Sequence, residues 1–138
     1  MTMNRFARAA AFWMLSFGAV EQAVAGQLDA LQGAWITGGT SCADTFKKVD
    51  GKIEFKDRGS SLTTGLIIRG NKIMGPMATC SVERIREEKE YFSAYMSCVD
   101  AVMFSDMSVS FQPIDATKFK RFVSDFPEVF VTYSKCEL

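Results

Sequence analysis

Histidine is absent from all 138 residues. Its absence rules out a Ser-His-Asp triad, a Cys-His pair and any histidine-ligated metal centre. A surplus of charge is lacking as well, because 16 basic residues balance 16 acidic ones. Nucleic acid and anionic membranes select clustered positive charge, so neither is expected as a partner. Close cysteine pairs of the C-x2-C kind are missing, which argues against structural zinc. Gly38-Gly39-Thr40-Ser41 is glycine-rich but lacks the lysine and spacing of a phosphate-binding loop. Two carboxylates suffice for glycoside hydrolysis. The acidic residues here, however, fall mostly at turns and in mixed-charge runs, where solvated surface is the expected role. No enzyme activity, cofactor or metal is expected.

Long apolar runs are also lacking. Ala9–Val20 spans 12 residues, short of the ~20 a helix needs to cross a bilayer. That run follows Arg5 and Arg8, ends at Glu21-Gln22, and leads into the small-x-small tripeptide Ala23-Val24-Ala25. Positive start, apolar middle and small-residue end together describe a secretory leader. Residues 1–25 are therefore expected to be a cleaved signal peptide, with Gly26 as the mature N-terminus. Residues 26–138 are expected to form one domain, periplasmic or secreted, with no membrane insertion after cleavage. Such a domain has 113 residues and a net charge of −1.

The four cysteines, Cys42, Cys80, Cys98 and Cys136, all lie in the mature region. An even count behind an export signal favours two disulfides. Four cysteines allow three connectivities, and composition does not choose among them. A local register does favour one. Met77–Arg86 and Tyr91–Asp100 read as strands joined by a charged loop. Pairing Glu87 with Tyr91 brings Cys80 opposite Cys98, where directly opposed Cβ atoms lie ~4.5–5.5 Å apart. Cys42 then falls to Cys136, tying the start of the domain to its end.

Alternation of apolar and polar residues dominates the rest. Val49-Asp50-Gly51-Lys52 is a tight hairpin turn that sets Phe46 opposite Phe55 and Lys47 opposite Glu54. Asp57-Arg58-Gly59-Ser60 and Arg69-Gly70-Asn71-Lys72 are further turns, with Leu62, Thr64, Leu66 and Ile68 alternating between them. Gly75-Pro76 is expected to make a bulge or an edge in the strand that starts at Lys72, since proline offers no backbone donor. Phe92, Ala94, Met96 and Cys98 share one strand face. Met107, Val109 and Phe111 share another, and Val129–Cys136 alternates as the last strand. Asp115–Asp125 reads either as one turn of helix or as a short edge strand.

The expected fold class is mainly all-β. It is a seven- to eight-stranded antiparallel meander closed into a small barrel or sandwich, with at most one short helix and two disulfides. Gly33-Ala34-Trp35 resembles the G-x-W signature of lipocalins and related small calycin barrels, whose tryptophan packs across the barrel base. The resemblance covers three residues and implies architecture only, with no ligand.

The nine phenylalanines of the mature region are expected to build a solid core rather than line a cavity. Function is then expected at exposed tips. The candidate partner-contact residues are Arg86, Glu87, Glu88, Lys89 and Glu90 on one tip, and Arg69, Asn71 and Lys72 on another. The expected function is a non-enzymatic binding module of the bacterial periplasm or exterior, contacting another protein as inhibitor or accessory factor. The alternative is a carrier of a small apolar ligand. A carboxylate-only hydrolase stands third.

Overall fold

The computed structural model describes residues 22–59 and 63–138. Ten strands and two short helices follow in the order α1 (Gln22–Asp29), β1 (Gly33–Thr37), α2 (Cys42–Thr45), β2 (Phe46–Val49), β3 (Lys52–Phe55), β4 (Leu66–Arg69), β5 (Lys72–Met74), β6 (Thr79–Glu87), β7 (Phe92–Val99), β8 (Phe104–Asp115), β9 (Lys118–Val123) and β10 (Phe126–Cys136). Eight strands close a barrel in the order β1-β10-β9-β8-β7-β6-β5-β4, and every pairing in it is antiparallel. The expected closed all-β meander forms, with two short helices where at most one is expected. Residues 1–21 of the expected leader lie outside the described residues, as do Ser60 and Leu62. Helix α1 runs through the expected cleavage point.

Both expected disulfides are present, Cys42–Cys136 and Cys80–Cys98, and no cysteine is free. The register around the second bond differs from the expected one. Glu87 pairs with Phe92 rather than Tyr91, and a bulge between Val82 and Arg84 restores Cys80 opposite Cys98. Without that extra residue the longer loop would have set Cys80 opposite Val99. A bulge leaves one residue unpaired and re-aims those after it, so Cys80, Val82 and Ile85 all contribute to the interior.

Asp50 and Gly51 take positive φ, 50° and 76°, and the β2–β3 hairpin has the expected pairs Phe46↔Phe55 and Lys47↔Glu54. This hairpin is not a barrel element, however. It forms a separate two-stranded sheet. Phe46, Phe55 and Ile53 pack with Ala34, Ile67 and Cys136 in a second core on the outside of the barrel wall. A lone ribbon with one apolar face is marginal in water and needs a surface to cover. Gly65 makes that packing close. At φ 119°, a Cβ there would lie 2.8 Å from the Trp35 carbonyl oxygen and 3.2 Å from the Phe46 ring.

Two further readings change. Gly75-Pro76 produces a turn between two strands, closed by Gly75 N–H donating to the Ala78 carbonyl at 2.8 Å, where a bulge or edge in one strand was expected. The Asp115–Asp125 stretch is neither helix nor edge. Lys118–Val123 is β9, paired with β8 on one side and β10 on the other. Closure decides this point, because a barrel needs a strand between β8 and β10 and burying Phe119 and Phe122 favours the extended form.

One end of the barrel is floored. Leu28 and Leu31 pack into the interior with Trp35, Phe92 and Phe119. The Trp35 indole N–H donates to the Leu31 carbonyl at 2.8 Å, and its ring meets Phe119 edge-on at 4.7 Å. Phe119 stacks on Tyr133 at 5.0 Å, and Phe111 completes the aromatic layer. The Gln32 side chain clamps the β4–β5 turn, donating to the Gly70 carbonyl and accepting from the Gly70 N–H. Helix α1 thus plugs the end at which the β4–β5, β6–β7 and β8–β9 turns lie. This helix departs from the expected leader, which extends to Ala25.

Candidate functional site

The opposite end carries the β5–β6, β7–β8 and β9–β10 turns, and its chemistry differs sharply. Val102 is 87% exposed, Phe104 82% and Val129 69%. Met77, Val99, Met103, Met107, Val123 and Phe126 are exposed there too. The β7–β8 turn that presents Val102 and Met103 is held by Asp100, whose carboxylate accepts from the N–H of both residues at 2.7 and 2.8 Å. Those two bonds hold the Asp100 carboxyl below its ordinary range. The strand that follows is half-paired. Bonding of β8 to β9 begins only at Ser110↔Phe122, so among the described residues Phe104–Val109 has only β7 as its barrel neighbour.

Between these turns the barrel opens into a cup of about 160 Å³, lined by Leu66, Ile73, Cys80, Met96, Met107 and Val109 among others. Arg121 stands in its wall, with its guanidinium 5.8 Å from the centre of the Tyr133 ring. Burial pushes the Tyr133 phenol up from its ordinary value, against the opposing pull of Arg121, so the phenol is protonated at neutral pH. A cavity of this size holds one benzene-sized group. Below it Trp35, Phe92, Phe111, Phe119 and Tyr133 are buried together in the interior.

A larger groove of about 590 Å³ runs along the outer wall. Its floor is the outward face of β6, β7 and β8, and its side is the β9–β10 turn. Arg84, Tyr95 and Ser108 stand in one cross-strand row, with Arg86, Ser93 and Ser110 in the next.

The candidate tips both fall at the plugged end, so the fold brings them to one end of the barrel. Each is partly tied to its surroundings. Arg86 pairs with Glu88 at 2.9 Å, and Glu87 accepts from the Gln27 side chain. Lys89 and Glu90 are exposed. Arg69 donates to the Ile53 carbonyl and pairs with Glu54 at 3.8 Å. The Asn71 carbonyl accepts from Val82 N–H, and Lys72 bonds the Ser81 hydroxyl. The second tip is therefore occupied in holding the β2–β3 ribbon and β6 to the barrel.

Sequence reasoning missed the apolar end, though a signal was there. Val102-Met103-Phe104 puts three apolar residues in succession at a turn, where polar ones belong. It missed Arg121 because the stretch was open to a helical reading. As a strand, Phe119, Arg121 and Val123 share a face, and the charge in the middle of it stands out.

No protein-family model matches this chain, and no curated protein or solved structure matches it either. Among the described residues, no helix is long and apolar enough to cross a membrane. No group of three or more His, Cys, Asp or Glu side chains that could hold a metal ion occurs among them. The two disulfides fit an oxidising extracellular or periplasmic environment.

Proposed function

We propose that this chain is an exported, non-enzymatic binding module that engages another protein through the open end of its barrel. The observation that carries the reading is the segregation of the ends. One is plugged by Leu28 and Leu31 and carries the charged β4–β5 and β6–β7 tips, and the other presents Val99, Val102, Met103 and Phe104 exposed around the β7–β8 turn. Contiguous exposed apolar surface marks interaction sites, and a cup sized for one ring suits a single anchoring side chain of a partner. The contact thus moves from the charged tips to the opposite end. Export rests on the leader pattern of residues 1–25, and N-terminal sequencing of material from outside the cytoplasm should begin at Gly26.

The test is a photo-crosslinking residue placed at Phe104 and, separately, at Lys89, in cells exporting the protein. Adducts with one defined protein from position 104, lost when Val102→Ser is added, support the reading. Adducts confined to position 89 return the contact to the charged tip. Adducts at neither position remove the protein-partner reading.

A second reading has its own observation, the apolar cup with Arg121 in its wall. A carrier of a small apolar ligand would retain that ligand in a native mass spectrum of protein purified from its own compartment.

A further inference from the structure

The outer-wall groove has the chemistry of a recognition site and shares only the β9–β10 turn with the open end, so its arginines can be tested separately. Arg84 is the centre of it. Its guanidinium lies 4.9 Å from the centre of the Tyr95 ring, and no carboxylate comes within bridging distance of it among the described residues. A guanidinium over an aromatic face is attracted by the ring's negative face and keeps its planar fork of N–H donors for another partner. Arg86 lies two residues along the same strand face. It spends its Nε on Glu88 at 2.9 Å and keeps its terminal nitrogens for another partner.

The side wall is fixed by hydroxyls. Ser110, fully buried, bonds Ser93 at 2.8 Å and Ser124 at 2.7 Å. This chain of bonds fastens the β9–β10 turn over the sheet and makes a groove where a flat wall would otherwise be. Tyr95 and Ser108 add hydroxyls to the floor, and Asp125 adds an acceptor on the turn side. A volume of about 590 Å³ falls within the usual range of small-ligand sites, ~300–1,000 Å³.

We propose that this groove recognises an oxyanion, a carboxylate or phosphate, held by the forks of Arg84 and Arg86, while Asp125 takes an N–H or O–H donor of the same ligand. Guanidinium forks match both oxyanions in a bidentate way. The shared chemistry has two sources, an acidic side chain of a peptide and a free phosphate.

The experiment titrates the mature, disulfide-bonded protein with acetyl-Gly-Glu-Gly-Glu-Gly-amide, its glutamine counterpart and inorganic phosphate, following amide chemical shifts. The glutamate peptide, or phosphate, should shift resonances of β6, β7 and the β9–β10 turn, and the glutamine peptide should bind at least about tenfold more weakly. Loss of one charge-assisted pair in Arg84→Gln should weaken binding about tenfold or more, with part restored in Arg84→Lys. Tyr95→Phe, which keeps the stacking ring, should cost a few-fold. Response to the peptide alone assigns the site to a polypeptide, and response to phosphate alone assigns it to a free anion. Equal binding of both peptides, equal weakening by Arg84→Gln and Lys89→Gln, or no response to any probe would overturn the proposal.

Discussion

Removing the Cys42–Cys136 bond should cost this domain much of its stability. The bond closes a sequence separation of 94 residues in a chain of 138. In the chain-entropy model such a loop constrains the unfolded ensemble by about 4.7 kcal/mol at 25 °C. Domains of this size are stable by only ~5–15 kcal/mol. The location of the bond matters too. Cys136 pairs with Ala34 at the β1–β10 seam, and the bridge holds α2 and the β2–β3 ribbon against that seam. The double variant Cys42→Ala/Cys136→Ala should therefore stay folded at low temperature but unfold early in urea. With a slope of ~1.5 kcal/mol per molar, the midpoint should fall by about 3 M. Circular dichroism across a urea series measures this, with mapping to verify that Cys80–Cys98 is intact. A loss below ~2 kcal/mol would refute the reasoning, because it would mean that the unfolded chain is already as compact as the cross-link makes it.

Gly65→Ala should lower the thermal midpoint well beyond the effect of a surface change. It combines a left-handed φ with backbone contact at 2.8 Å, and such conflicts cost more than ~1 kcal/mol. A midpoint within a degree of the parent would contradict the packing described for the β2–β3 ribbon. The phenol of Tyr133 has its pKa raised above 10.0 by burial, so its contribution to stability is intact below the unfolded value and is lost as pH climbs through the folded one. Ultraviolet titration should show the Tyr133 phenol ionising later than an unburied phenol does, with stability falling above about pH 10. Asp100 shifts the other way, since its lowered pKa stabilises the β7–β8 turn above the unfolded carboxyl value and lets it go as pH drops through the folded one. The Val102 and Met103 amide resonances should move together in that acid range, and Asp100→Asn should abolish the titration.

Much of the fold was legible from local patterns. Alternation along Phe92–Cys98 and Met107–Phe111, the Asp50-Gly51 turn and the even cysteine count all rest on short-range stereochemistry, which a sequence expresses directly. Trp35 takes the place its G-x-W setting implied, buried at the plugged end and bonded to Leu31. Cys80 faces Cys98 as expected because two departures from simple pairing cancel. The loop is one residue longer than supposed, and the bulge at β6 takes up the difference. Nothing in the local pattern of Arg84-Ile85-Arg86 announces a bulge, because its benefit is keeping Cys80 and Val82 inside, a property of the closed barrel.

What only the tertiary structure decided shares that non-local origin. Lys118–Val123 is a strand because β8 and β10 need a partner between them, whatever its own spacing suggests. The β2–β3 ribbon lies outside the barrel because the interior is already filled by Trp35, Phe92, Phe111, Phe119 and Tyr133. The candidate site follows the same logic. Arg84, Tyr95, Ser108 and Ser124 are scattered along the chain and become one groove only through cross-strand register and a buried chain of serine hydroxyls. Residue chemistry determined which groups were available to this protein, and barrel closure, by setting register and burying one end, determined which of them meet and which face solvent.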